Sequence, residues 1–144
     1  MERKCDIGHE IHAVSNLLGR KVEAGRRERG MENVSPMQIW IIRYLHDHRE
    51  VDVFQKDIER DFTITRSTVT GILKLMEKNG YIVRKTVPED ARLKKLVLTE
   101  KGDDILHGVC DHIKETERML LRGFSEEEVE MLRRLLEKLK KNLL

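Results

Sequence analysis

The segment TRSTVTGILKLMEKNGYIVRK, residues 65 to 85, constrains this chain most, because its periodicity changes at one point. Up to Lys78 the apolar residues Val69, Ile72, Leu73 and Met76 recur at spacings of three and four, which predicts a helix buried along one face. Asn79-Gly80 can then supply a left-handed cap. Beyond it YIVRKTV reads as a strand, PEDAR holds turn formers, and KKLVLT reads as a second strand. A helix that runs straight into a hairpin with a charged tip leaves few architectures open.

The residues before it narrow the choice. SPMQ at 35–38 is a helix start with a mechanism: Ser35 can accept from the amide three residues on, Gln38 can reach back, and Pro36 suits the first helical position. That helix continues through Ile39, Ile42 and Leu45, with Trp40 and Tyr44 four apart on another arc. A short helix is expected around Gln55 to Phe62, with Ile58 and Phe62 as its apolar edge. Thr65 is the expected N-cap of the next. At about 100° per residue, Ser67, Thr70, Gly71, Lys74 and Lys78 fall opposite its buried face. Three short helices followed by a two-stranded hairpin describe a winged helix-turn-helix, mainly α with a small β-hairpin wing.

Long amphipathic helices flank this core. The first is expected from about Asp6 to Arg29, with Ile7, Ile11, Val14, Leu18 and Val22 along one stripe. Thr99 can cap a second, whose stripe is Ile105, Val109, Ile113, Thr116 and Leu120. Ser125 and Glu128 form another capping box, and the last helix carries Val129, Leu132, Leu136, Leu139 and Leu143 at alternating spacings of three and four. Such a seam is a liability on a lone chain.

Charge singles out the middle. Residues 55 to 101 hold eleven Lys and Arg against seven Asp and Glu, a net of +4 within a chain of net +2, so the remainder carries −2. A basic middle between ends that are not basic suits a polyanionic partner. Short hydroxyl side chains at the start of the basic helix let it sit deep in a groove, where Thr65, Ser67, Thr68 and Thr70 can bond phosphates or base edges. Arg66 is the candidate for a bidentate guanine contact, and Lys74 and Lys78 suit phosphates. Arg92 at the wing tip suits a narrow minor groove, with Asp90 two residues earlier placed to hold its guanidinium. The bland alternative is a solvated helix and a solvated hairpin with a surface ion pair.

SPMQIWIIRYL, DIERDFTITRSTVTGILKLMEKNGYIVR and DARLKKLVLTEKG, in that order, resemble the MarR (multiple antibiotic resistance regulator) family of winged-helix transcription factors over nearly the whole chain. The family's Asp-x-Arg wing motif falls on Asp90 and Arg92. The resemblance implies one domain over residues 1–144, with a DNA-binding lobe at 35–99 and dimerisation helices at 6–29 and 100–144. It implies DNA contacts from the exposed face of residues 65 to 74 and from Arg92, with Lys94 beside it on the wing. It also implies a homodimer joined through Ile11, Val14 and the Val129-to-Leu143 seam. Two recognition helices would then read a pseudo-palindromic operator on double-stranded DNA. The expected activity is a regulator, more readily a repressor than an activator.

The resemblance further implies release by a small lipophilic or phenolic effector, with Trp40 and Tyr44 bordering its pocket; simple core packing is the alternative for both. Cys5 stands where some relatives place an oxidant-sensing thiol. His107 with Asp111, His112, and His46 and His48 around Asp47 offer metal-ligand spacings, although six histidines in so charged a chain produce such coincidences. No metal and no cofactor are expected. No Ser/His/Asp set, phosphate loop or paired carboxylates stand out, so the chain is not expected to be an enzyme. A winged helix can instead be a protein-interaction module without DNA, a reading the basic middle opposes. No apolar run approaches the roughly 18 residues that span a bilayer, and no CxxC pair or apolar leader occurs, so a cytoplasmic protein is expected.

Overall fold

The structure, a computed structural model, describes residues 6–144. Its elements are α1 (Ile7–Glu28), α2 (Pro36–Asp47), α3 (Gln55–Phe62), α4 (Arg66–Lys78), β1 (Ile82–Val87), β2 (Asp90–Leu98), α5 (Glu100–Leu120) and α6 (Glu126–Leu143). They form two compact units, the first ending at Cys110 and the second running from Asp111 to Leu144.

In the first unit, local chemistry sets the helix ends. The α2 capping box is present as expected: Gln38 N–H donates to Ser35 Oγ at 3.2 Å, and Ser35 N–H to Gln38 Oε1 at 3.0 Å. At the end of α4, Gly80 takes φ +78° while Tyr81 N–H donates to Met76 O at 2.9 Å and Gly80 N–H to Glu77 O at 3.0 Å. That pair of bonds is a Schellman cap, and it turns the chain into β1. Between α3 and α4 the turn passes through Thr63 at φ +54°, a left-handed residue other than glycine.

The core of this unit joins α2, α3, α4 and the wing through the fully buried Ile41, Ile42, Ile58, Val69, Leu73, Met76 and Ile82. Here α3 packs on α4, α4 on β1, and α2 on β2. The wing base is tied further by Leu96 N–H to Val53 O at 2.8 Å and by Lys95 Nζ to Asp52 Oδ1 at 3.0 Å. At the end of α1, Arg26 is buried, pairs with Glu23, and donates to Glu32 O at 3.0 Å, which holds the following loop.

The start of α5 is locked to the α4–β1 junction. Thr99 Oγ1 donates to Gly80 O at 2.6 Å and accepts from Gly102 N–H at 3.1 Å, so Thr99 caps the helix as expected. Gly102 is required there, because a Cβ would stand 2.4 Å from Tyr81 O and 2.6 Å from Leu98 Cδ1. Main chain cannot yield as a flexible side chain can, so Gly102→Ala is expected to cost about 2 kcal/mol. A lowered midpoint on thermal unfolding checks this; an unchanged one would mean that α5 shifts freely against the wing.

Along α5, Val109 is buried as expected and Leu106 and Gly102 are buried beside it, whereas Ile105, Ile113 and Thr116 are only half-buried and Leu120 is exposed. Cys110 is half-buried and free.

In the second unit, Ser125 Oγ accepts from Glu128 N–H at 3.2 Å, and Ser125 N–H donates to Glu128 Oε2 at 2.8 Å, which completes the capping box of α6. No residue of α6 is buried. Val129 and Leu139 are half-buried, while Leu132, Leu136 and Leu143 are exposed, with Met131 and Leu135 adding to the apolar surface.

Candidate nucleic-acid interface

The outward face of α4 carries the residues expected to meet DNA. Val69, Leu73 and Met76 are buried, and Thr65, Arg66, Ser67, Thr68, Thr70 and Lys74 are all exposed. Gly71 lies among them with nothing within 4 Å of where a Cβ would stand, so the face is open at its centre. The hydroxyls form a cluster: Thr65 Oγ1 lies 3.0 Å from Thr68 Oγ1 and 3.4 Å from Ser67 Oγ. This corrects the expectation for Thr65. It occupies the N-cap position, but its side chain bonds no main-chain amide of α4. Those amides are left pointing out of the helix start, where the macrodipole favours an anion.

The wing differs from the expected hairpin in one informative way. Only Pro88 and Glu89 form the turn, and β2 already starts at Asp90. Thr86 pairs with Lys94 while Val87 pairs with Asp90, so Ala91, Arg92 and Leu93 are looped out of the ladder. Arg92 therefore projects from a bulge, the local device by which a strand re-aims a side chain. Asp90 does not hold the guanidinium as expected. Its Oδ1 accepts from the Arg92 main-chain N–H at 2.8 Å, so the carboxylate sets the bulge and leaves the charged group outside. Arg92 and Lys94 are exposed. Among the described residues, neither they nor Arg66 and Lys74 are held in an ion pair.

Behind the interface a second network pins α3 to α2. Tyr44 O–H donates to Asp61 Oδ2 at 2.5 Å, and Arg60 Nε donates to Asp61 Oδ1 at 2.6 Å. The Arg60 and Tyr44 hydrogen bonds hold the Asp61 carboxyl down at about 2. Burial first, then the Asp61 carboxylate, pushes the Tyr44 phenol up to about 12. Tyr44 also stacks on His48 with ring centroids 4.1 Å apart and meets Phe62 edge-on at 5.6 Å.

The sign of the Asp61 contribution follows from its depressed value. It is fully present above the ordinary aspartate range near about 4 and is lost as pH falls toward about 2. Tyr44→Phe is accordingly expected to cost about 1 kcal/mol at neutral pH, because the site is partly open to solvent. Acid unfolding of the two proteins should converge through that window; a difference that persists at the lowest pH would place the Tyr44 contribution in packing alone.

Trp40 and Tyr44, expected at an effector pocket, both lie on α2. Trp40 is 42% exposed and lies 6.0 Å from the Arg43 guanidinium, and Tyr44 belongs to the network above. A cavity of about 590 Å³ sits at the base of the wing, lined by Leu45, Val53, Leu96 and Leu98 with His46 and Asp103 among its polar groups. His46 Nδ1 and Asp103 Oδ1 are 2.8 Å apart, and His107 Nδ1 is 3.9 Å from Asp103 Oδ2. Among the described residues no group of three or more His, Cys, Asp and Glu is placed to hold a metal ion. Cys5, the expected redox position, lies outside the described residues. No described helix is long and apolar enough to cross a membrane.

Gln55 was not legible as part of this surface. In the sequence it is only the first residue of α3; in the structure its amide reaches α4 and donates to Thr70 Oγ1 at 2.8 Å.

Comparison with known proteins agrees with this architecture. Residues 32–93 match the model of the MarR family. The structure is similar to that of the transcription regulator MarR from Oenococcus oeni PSU-1, with 26% identity over 94% of this chain and 99% of that one and a TM-score of 0.82. It is also similar to a MarR-family transcriptional regulator from Listeria monocytogenes complexed with 26-mer DNA, with 26% identity over 96% of this chain and 89% of that one and a TM-score of 0.80. The S. aureus MepR–DNA complex shares the fold at 23% identity, over 96% of this chain and 99% of that one, with a TM-score of 0.84.

Proposed function

We propose that this chain, whose residues 32–93 match the MarR-family model, works as a sequence-specific DNA-binding transcriptional regulator. The reading rests above all on the outward face of α4, which carries hydroxyls, one arginine and an open glycine, with Leu75 its one exposed large apolar residue. Thr65, Ser67, Thr68 and Thr70 lie against base edges and phosphates, and Arg66 pairs with a guanine. Lys74 and Lys94 meet phosphates, and Arg92 enters the minor groove beside them.

The working form is a homodimer. The exposed Ile11 and Val14 of α1, and the Val129, Leu132, Leu136, Leu139 and Leu143 seam of α6, are the apolar surface that a second copy covers. Two copies carry two recognition helices, hence a pseudo-palindromic operator with half-sites about one helical turn apart. The regulator is a repressor released by a small lipophilic ligand. Such a ligand acts only by favouring one conformation over another. The cavity at the wing base offers it a place, since Lys95 and Leu96 of β2 line it and tie it to the wing.

Selection of duplexes from a random pool, followed by titration at several salt concentrations, tests this. Enrichment of a pseudo-palindrome with a steep salt slope is expected. Weak binding to every duplex alike, before and after refolding to strip any bound ligand, would instead favour a winged-helix module that binds protein.

A further inference from the structure

Gln55 begins α3, yet its side chain crosses to the recognition helix. Its Nε2 donates to Thr70 Oγ1 at 2.8 Å and lies 3.4 Å from the main-chain oxygen of Arg66. The second contact orients the amide. A carbonyl oxygen only accepts, so the nitrogen end of Gln55, not its oxygen, faces α4. The Thr70 hydroxyl oxygen therefore accepts a hydrogen bond from Gln55. One of its acceptor sites is occupied, and its own O–H is left to donate.

That O–H has no competing use inside the helix. Thr116 of α5 donates to the carbonyl of His112, four residues back, at 2.9 Å. Thr70 makes no such bond among the described residues, and the carbonyl four residues before it, that of Arg66, is the one Gln55 faces. Thr70 is exposed on the same face as Ser67 and Lys74. A free hydroxyl donates or accepts with equal ease and discriminates poorly. A hydroxyl biased toward donation favours guanine N7 and O6 or thymine O4, and disfavours the amino groups of cytosine and adenine.

We propose that Gln55 is a positioning residue that makes Thr70 a hydrogen-bond donor toward DNA, and so sets base preference where Thr70 touches the operator. This rests on the DNA-reading role argued above. Its consequence differs from that of a brace between two helices. A brace, when cut, weakens binding to every sequence alike; a polarising contact, when cut, changes which base is preferred.

The test measures affinity of four proteins for the operator and for its single base-pair variants: the unaltered chain, Gln55→Ala, Thr70→Val and the double variant. Thr70→Val keeps the shape and removes the hydroxyl, so it marks the base pair that Thr70 reads. Gln55→Ala is expected to flatten preference at that same base pair by roughly tenfold. Its salt slope should not change, since an amide carries no charge. In the Thr70→Val background it should have no further effect. Gln55→Glu should move preference toward an amino-bearing base, because a carboxylate accepts a hydrogen bond from the Thr70 O–H and leaves the hydroxyl lone pairs facing outward. Additive effects of the two substitutions, a uniform loss over all variants, or a Thr70→Val protein with unaltered base preference would each overturn the proposal. If the unaltered chain prefers no sequence, the DNA-reading role itself fails, which is a different result.

Discussion

Leu136→Glu is expected to turn the dimer into monomers and to remove operator binding with it. Leu136 is 43% exposed on a helix with no buried residue, which leaves apolar surface for a second copy to cover. An 18-residue helix gains most of its stability from covering its apolar face, and the face of α6 needs a partner. A carboxylate placed in that seam loses solvation without gaining a counter-charge and costs several kcal/mol. Since about 1.4 kcal/mol is tenfold, dimerisation should weaken by at least two orders of magnitude. Loss of the dimer also separates the two recognition helices, so the chain falls back to half-site affinity. Light scattering and operator titration on the same sample check both halves. A well-folded dimer of Leu136→Glu would mean that α6 is not the interface, and attention would move to Ile11 and Val14 of α1.

Arg92→Ala should weaken operator binding by about 1–3 kcal/mol and lower the salt slope by about one, with thermal stability unchanged. The side chain is exposed on a bulge and takes no part in the core, so folding has little to lose. Asp90 sharpens the test. Its Oδ1 accepts from the Arg92 main-chain N–H, a bond an asparagine oxygen can also accept. Asp90→Asn should therefore bind nearly as the unaltered chain does, while Asp90→Ala should lose part of what Arg92→Ala loses. If Asp90→Asn is as damaged as Asp90→Ala, the carboxylate acts through its charge. Unchanged affinity of Arg92→Ala at moderate salt would remove the wing from the mechanism.

Much of the fold was legible because its signals are local. Ser35 with Gln38, Ser125 with Glu128, and Thr99 with Gly102 are bonds across three residues; the first two were expected from their spacing, and Thr99 was expected as a cap. The limits of α3 and the turn at Gly80 were expected too, because apolar periodicity and a left-handed glycine act within one or two turns of chain. The outward set Ser67, Thr70, Gly71, Lys74 and Lys78 follows from helical geometry once the buried face is known.

Where expectation and structure part, the deciding partner is distant in sequence or the competition is fine. Thr65 was expected to cap α4, but its hydroxyl joins those of Ser67 and Thr68, a choice between two local bonds of similar strength. The Asp-x-Arg pair was legible as a motif, but whether Asp90 holds the guanidinium or the main chain depends on a three-residue step in strand register. The close approach at the start of α5 is that of Tyr81 O to Gly102, a contact 21 residues apart that no periodicity carries.

By itself, then, the order of residues determined where helices begin and end, which faces are apolar, and that a hairpin follows the recognition helix, because these depend on bonds a few residues long. Only the tertiary structure decided that Tyr44 serves Asp61, that Leu96 binds Val53, and that Gln55 donates to Thr70. Those contacts join segments brought together by burial of Ile41, Ile58, Leu73 and Ile82. A core of that kind specifies how much apolar surface must meet, and the packing of whole elements then selects which polar groups come within reach.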